Sequence, residues 1–317
     1  MADQTDPTLT SDFDSAFLPP DQSAPIFEAA ARVSVAQRLF PQVPLGPNGK
    51  IIPVVTGRAS AAWIDEGEAK PATTTSLALR NMAPKKIAAI SVVSAETVRA
   101  NPGNFMQVLR KQLGEAFGIA FDAAVLYGEG PFPTWVDQTT KQVELGSNTP
   151  ADGGAWQDLV SAIRLVVTDT TPITGSTDPT RRQVNGFVFD DMAEPDLLGS
   201  VDASGRPILV NLETSEGTSS LTTVRSGRLM GRSMAMTSWV AADDFHAVGF
   251  AGDFTKGVWG VTSGITYRVS TEATVEVNGS QVNLWQKNLV AILAEAEYGF
   301  YLEDPLSFVK IANLIGS

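Results

Sequence analysis

The stretch 101–127 constrains the fold more than any other. Asn101 is placed to cap a first helical turn, and Pro102 to occupy the first helical position, where no backbone donor is needed. Phe105, Leu109, Leu113, Ala116, Ala120, Ala124 and Tyr127 follow at steps of three and four, a single apolar stripe on the helical period. Gly128 supplies a left-handed stop. At about 1.5 Å per residue such a helix is roughly 40 Å long, well above the usual length in a globular domain. Gly114 and Gly118, four apart near its middle, offer a place to bend.

What precedes the helix is extended. Ile51–Thr56 reads as a short β segment, Ser76–Arg80 alternates, and Lys85–Ser94 is a stronger strand rich in Ile and Val. Between them, residues 57–71 mix small residues with Arg58, Trp63, Asp65, Glu66, Glu68 and Lys70. Together, residues 51–94 predict a long two-stranded arm with a wide tip. An isolated hairpin is marginal in water and needs a surface to lie on. If its own body offers none, another subunit must. Taken alone, Trp63 reads equally well as an ordinary core residue.

The flanks complete the outline. Residues 1–24 form a polar, acidic arm interrupted by Pro19-Pro20; Phe13, Phe17 and Leu18 are apolar handles suited to docking on a neighbouring subunit. Pro25–Phe40 predicts a short helix capped by Ser23. Beyond Gly128, Ala155–Asp169 is a second amphipathic helix, Val184–Phe189 a buried type of strand, and Asp190-Asp191 a cap for a short helix to about Leu198. Ile208–Leu212, Leu229–Val240, Phe245–Phe250, Gly264–Val269, Thr274–Val277, Val282–Leu293 and Ser307–Ile311 are further strands, with Asn278-Gly279 marking a hairpin. From about residue 150 the pattern is a mixed α/β domain.

Composition narrows the chemistry. The 317 residues include no Cys and one His, His246. Thiol nucleophiles, disulfides and Cys-based zinc sites are therefore excluded, as are multi-His metal sites. A Ser-His-Asp set would have to use His246, and no G-x-S-x-G stretch places the Ser. No phosphate-binding glycine loop of either common spacing occurs. Asp190-Asp191 and Asp243-Asp244 read as solvated or helix-capping pairs. The first residues lack the basic and apolar regions of a signal peptide, and the apolar run Leu289–Ala294 is too short to span a bilayer. The net charge is −12, and Met1–Ala31 holds six acids and no base. Such a body repels phosphates on average, which disfavours gripping nucleic acid but not enclosing it.

Taken in order, these features resemble the major capsid protein of tailed bacteriophages, the HK97-like fold. Ile52-Pro53 and the run Ala61-Ala62-Trp63-Ile64-Asp65-Glu66-Gly67-Glu68-Ala69-Lys70-Pro71 resemble that family's extended loop; Pro84-Lys85-Lys86-Ile87 with Val92-Val93-Ser94 resembles its returning strand. Residues 101–127 match its spine helix, and Leu126-Tyr127-Gly128-Glu129-Gly130 the loop after it. Gly252-Asp253-Phe254 and Tyr298-Gly299-Phe300 with Pro305–Val309 resemble the axial turn and closing strands. The resemblance implies an α+β chain divided into an N-terminal arm and short helix (1–50), an extended β-hairpin loop (51–84), a peripheral domain with the spine helix (85–150), an axial domain (151–290) and a return to the peripheral domain (291–317).

It also implies a non-enzymatic protein, without cofactor or metal, that assembles in the host bacterial cytoplasm into hexamers and pentamers of an icosahedral virion shell around double-stranded DNA. Phe13, Phe17, Arg58, Trp63, Asp65, Glu66, Glu68 and Lys70 are the residues expected at contacts between subunits. With only about 25 residues before the first predicted helix, a separate scaffolding protein is expected, along with a portal and a decoration protein, and no membrane partner. Two other readings compete. One is an encapsulin-like shell around a protein cargo; the other is a soluble hydrolase using His246.

Overall fold

The computed structural model describes residues 34–57, 61–65, 70, 72, 76–100, 105–149, 152–173, 179–199, 209–214, 224–241, 247–262, 264–277 and 279–313. Phe13, Phe17, Arg58, Glu66, Glu68 and His246 lie outside them, as do the expected caps Ser23 and Asn101.

In chain order the elements are α1 (Val35–Leu39), β1 (Lys50–Gly57), β2 (Ser76–Met82), β3 (Lys85–Ser94), α2 (Ala95–Ala100) and α3 (Phe105–Leu126). Then come β4 (Gln142–Leu145), α4 (Gly154–Val167), β5 (Gly186–Phe189), α5 (Glu194–Gly199), β6 (Leu209–Thr214), β7 (Arg225–Leu229), β8 (Arg232–Met236) and β9 (Gly249–Gly252). The chain closes with β10 (Gly257–Val261), β11 (Thr266–Ser270), β12 (Thr274–Val277), β13 (Ser280–Asn283), β14 (Leu289–Leu302) and β15 (Phe308–Asn313).

Two sheets carry the body. The long β14 pairs along Leu289–Tyr298 with β3, and also with β10 and β11. A seven-stranded mixed sheet runs β4-β15-β9-β5-β8-β7-β6. The spine helix α3 lies against the first sheet. Its buried face is Leu109, Leu113, Phe117, Phe121, Ala124 and Val125. Ala116 and Ala120, expected on that face, are exposed instead. The two phenyl rings bury far more area than Ala and set the rotation of the helix. The helix runs unbroken through Gly114 and Gly118. Gly128 stops it at φ 77°, where a Cβ would lie 2.5 Å from the Trp135 indole.

An aromatic cluster joins the two sheets. Phe40 packs edge-on to Phe300 of β14 at 5.3 Å and meets Phe308 of β15 at 6.0 Å. Its carbonyl accepts the Trp259 indole N–H at 3.0 Å.

Several expected elements differ. The strand that returns along the arm is β2, paired with β1 from Lys50↔Met82 onward; Lys85–Ser94 belongs to the body, paired with β14. Residues 229–240 form not one strand but the end of a hairpin. Met230 and Gly231 both have positive φ, 52° and 76°, which matches the twist of the flanking strands β7 and β8. The expected strand Val282–Leu293 is broken by a turn at 284–288, where Asn288 has φ 52°. The expected strand Phe245–Phe250 is β9, at 249–252. Asn278-Gly279 does mark a hairpin, between β12 and β13.

Candidate assembly surface

The arm is built from β1 and β2, whose antiparallel pairs place directly opposed residues on one face. Pro53 opposes Leu79 and Val55 opposes Leu77, with Ile51 opposite Asn81. This face is open to solvent: Ile51 is 61% exposed, Val55 50%, Leu77 60% and Leu79 68%. On the other face Val54 and Met82 are buried. The alternation of β2 is thus inverted, with leucines toward water and Arg80 on the opposite side. A contiguous apolar strip of this kind is a candidate interaction surface.

The root of the arm is fixed to the body. Gly260 of β10 faces Gly299 of β14. A Cβ at Gly260 would meet the Val43 carbonyl at 2.6 Å and Leu45 Cβ at 2.9 Å; one at Gly299 would meet Leu45 Cδ2 at 2.8 Å and Met82 Cγ at 3.1 Å. The two glycines leave a notch that Leu45 and Met82 fill. Both are buried; Leu45 precedes the arm and Met82 is the last residue of β2. Val43 N–H donates to the Trp259 carbonyl at 2.8 Å alongside. The direction of the arm is therefore set by packing against two body strands.

At the other end, Trp63 is fully exposed and Ile64 is 38% exposed. Asp65 and Lys70 are exposed as well. Among the expected contact residues, these three charged or aromatic side chains (Trp63, Asp65, Lys70) are described, and none is covered by the described residues.

A second anchor holds the chain start to the spine. The Asp122 carboxylate, buried on α3, accepts from Ser34 Oγ at 2.6 Å and from the backbone N–H groups of Val35 at 2.9 Å and Ala36 at 3.0 Å. It thereby satisfies orphan donors of the first turn of α1. Burial pushes its carboxyl up to about 7, against the opposing pull of Ser34, Ala36 and Val35. The folded state thus holds a proton that the unfolded chain, with a carboxyl near ~3.9, has released. Stability should fall as pH rises through the window from about 4 to about 7, by at most roughly 1.4 kcal/mol per unit. Chemical denaturation of the subunit across that window should show this slope, and Asp122→Asn should flatten it.

Of the two acidic pairs, Asp243-Asp244 lies outside the described residues, and Asp190-Asp191 is engaged within the chain. Asp190 caps the turn after β5, accepting from Met192 N at 3.0 Å, Val240 N at 3.2 Å and Ala241 N at 2.9 Å. Asp191 pairs with Arg225 at 2.7 Å. Among the described residues no group of three His, Cys, Asp or Glu is placed to hold a metal. No described helix is long and apolar enough to cross a membrane. Sequence reasoning missed Ile51, Val55, Leu77 and Leu79. In β1 every residue from Ile51 to Val55 is apolar, so no alternation distinguishes the outer face.

Comparison with known proteins decides what this architecture is. A family model described as "Phage capsid family" matches residues 15–313. The chain belongs to the phage capsid family. It is 38% identical to the probable major capsid protein gp17 of Mycobacterium phage L5, over 98% of this chain and 94% of that protein. It is 36% identical to the probable major capsid protein gp17 of Mycobacterium phage D29, over 94% of this chain and 91% of that one. A solved structure from Mycobacterium phage Adephagia, 16% identical, superposes with a TM-score of 0.64 over 98% of this chain and 100% of that one. The fold is the HK97-like capsid fold. The member of the phage capsid family described here is a structural protein of the capsid shell, and its place is the virion.

Proposed function

We propose that this chain is a major capsid protein that assembles, in the cytoplasm of a bacterial host, into hexamers and pentamers of an icosahedral shell enclosing double-stranded DNA. It has no catalytic role. The observation that carries this reading is the apolar outer face of the arm, held at a fixed angle and left bare by the described residues. A face of that composition favours being covered. Identical subunits arranged around symmetry axes cover each other's arms by a repeated heterologous contact, which closes into rings when the rotation allows. The acidic balance, −12 overall, leaves enclosed DNA mobile. A separate scaffolding protein, a portal and a decoration protein are its expected partners. The similarity to phage capsid proteins favours DNA over the protein cargo of an encapsulin-type shell.

The domain division belongs to the same proposal: arm and short helix 1–50, extended loop 51–84, peripheral domain 85–150 with a return at 291–317, and axial domain 151–290. The two sheets support a division of this kind. Strand pairing favours grouping β10 and β11 with the peripheral strands, and β4 and β15 with the axial ones.

Arg58, Trp63, Asp65, Glu66, Glu68 and Lys70 are proposed as the tip's contacts with a neighbour. Trp63→Ala tests this. The isolated subunit should unfold within about 0.5 kcal/mol of the parent, as expected for an exposed site, while particle yield by light scattering drops sharply. A destabilisation of about 3–5 kcal/mol, typical of a core Trp, would contradict it.

A further inference from the structure

A cavity of about 240 Å³ opens beside the C-terminal half of α3. Its floor is formed by the buried Phe121, Phe132 and Tyr298, and its rim by the exposed Lys85, Lys86 and Glu129. An apolar cavity of about 150 Å³ already accommodates benzene, whereas cofactor and drug-sized sites begin at roughly 300 Å³. The size and lining suit one aromatic side chain. The rim carries one more positive than negative charge. Lys86 is shared with Glu295 at 2.8 Å, and Lys85 makes no ion pair among the described residues.

The chain itself holds a matching segment. Asp12-Phe13-Asp14 places a phenyl ring between two acids, within a stretch, Met1–Ala31, that has six acids and no base. The described chain starts at Ser34, hydrogen-bonded to Asp122, the residue next to Phe121 on the cavity floor. Twenty residues separate Phe13 from Ser34, enough to span up to roughly 70 Å when extended, far more than the way back to a cavity beside the same turn of helix. Tethering of this length gives an effective concentration on the order of millimolar.

We propose that this cavity receives Phe13 of the subunit's own N-terminal segment, with Asp12 and Asp14 against Lys85 and Lys86. The tether favours the subunit's own cavity through effective concentration. The proposal concerns the single subunit and holds whether or not the shell reading does.

The absence of Cys makes disulfide trapping a clean test. Ser15→Cys is combined with Ala120→Cys, an exposed position on the cavity wall, in the full-length chain. Mild oxidation should give an intramolecular crosslink about tenfold faster than the control pair Ser15→Cys with Leu165→Cys on the exposed side of α4. Adding Phe13→Ser or Lys85→Glu should bring the rate down to that of the control. A rate equal to the control from the start overturns the proposal. So does crosslinking into dimers, which would assign the cavity to a second copy's segment, and so does a fast crosslink indifferent to Phe13→Ser. Ala120 and Lys85 are exposed and Ser15 precedes the described chain, so folding of the variants is checked by their unchanged melting temperature.

Discussion

Replacing Arg182 by Ala is expected to lower the unfolding free energy of the subunit by about 3–5 kcal/mol, the usual cost of stranding one partner of a buried ion pair. The Arg182 side chain is fully buried. Its Nε donates to Asp304 Oδ2 at 2.7 Å and its Nη2 to Oδ1 at 3.2 Å, a bidentate fork. Nη1 donates to the Asp169 carbonyl at 3.2 Å. Ser307 Oγ takes up a further lone pair of Asp304 at 2.7 Å. Lys141 extends the network, holding Asp169 at 2.6 Å and the Leu306 carbonyl. Burial would raise the Asp169 carboxyl, but Lys141 and Thr171 hold it well below the usual carboxylate range. The network ties the loop after α4 to the turn that launches β15, the strand between β4 and β9. Its loss leaves the Asp304 charge buried alone. Urea denaturation of the isolated subunit measures the effect. Arg182→Met combined with Asp304→Leu should recover most of the loss, because an apolar pair of similar size removes the orphaned charge.

The second large effect concerns assembly and not folding. Leu77→Glu with Leu79→Glu should leave the subunit's unfolding free energy within about 0.5 kcal/mol, since both leucines already face water. Closed particles should disappear. Each leucine that a neighbour covers contributes about 1.5–3 kcal/mol, and the contact repeats in every subunit, so a shell loses it many times over. Sedimentation and denaturation of the same preparation separate the two outcomes. A subunit that unfolds on this double substitution would mean that its own chain covers the face.

Much of the architecture was legible before the structure. The spine helix, the strand 85–94 and the hairpin at 278–279 follow from periodicity and turn chemistry, while the capsid family entered as a resemblance carried by motifs in order. The differences have identifiable physical causes. The rotation of α3 was misjudged because Ala116 and Ala120 fit the period as well as Phe117 and Phe121 do, and only packed area chooses between them. The hairpin at Met230-Gly231 was invisible because Met rarely adopts positive φ. β10, Gly-Val-Trp-Gly-Val, carries two glycines that weaken a strand signal. Here one of them, Gly260, makes the notch that seats the arm. The candidate assembly surface was only partly visible in the sequence. Trp63 and its charged neighbours stood out by composition. The apolar face behind them did not, since exposed and buried strand faces of the same residues differ only in what covers them.

Electron microscopy of the purified protein, incubated alone and with a scaffolding protein, tests the central claim most directly. Closed shells of hexamers and pentamers are expected, with β1 and β2 of each subunit lying on a neighbour and the face of Ile51, Val55, Leu77 and Leu79 covered. Subunits that stay monomeric under both conditions, or shells in which that face remains bare, would contradict it.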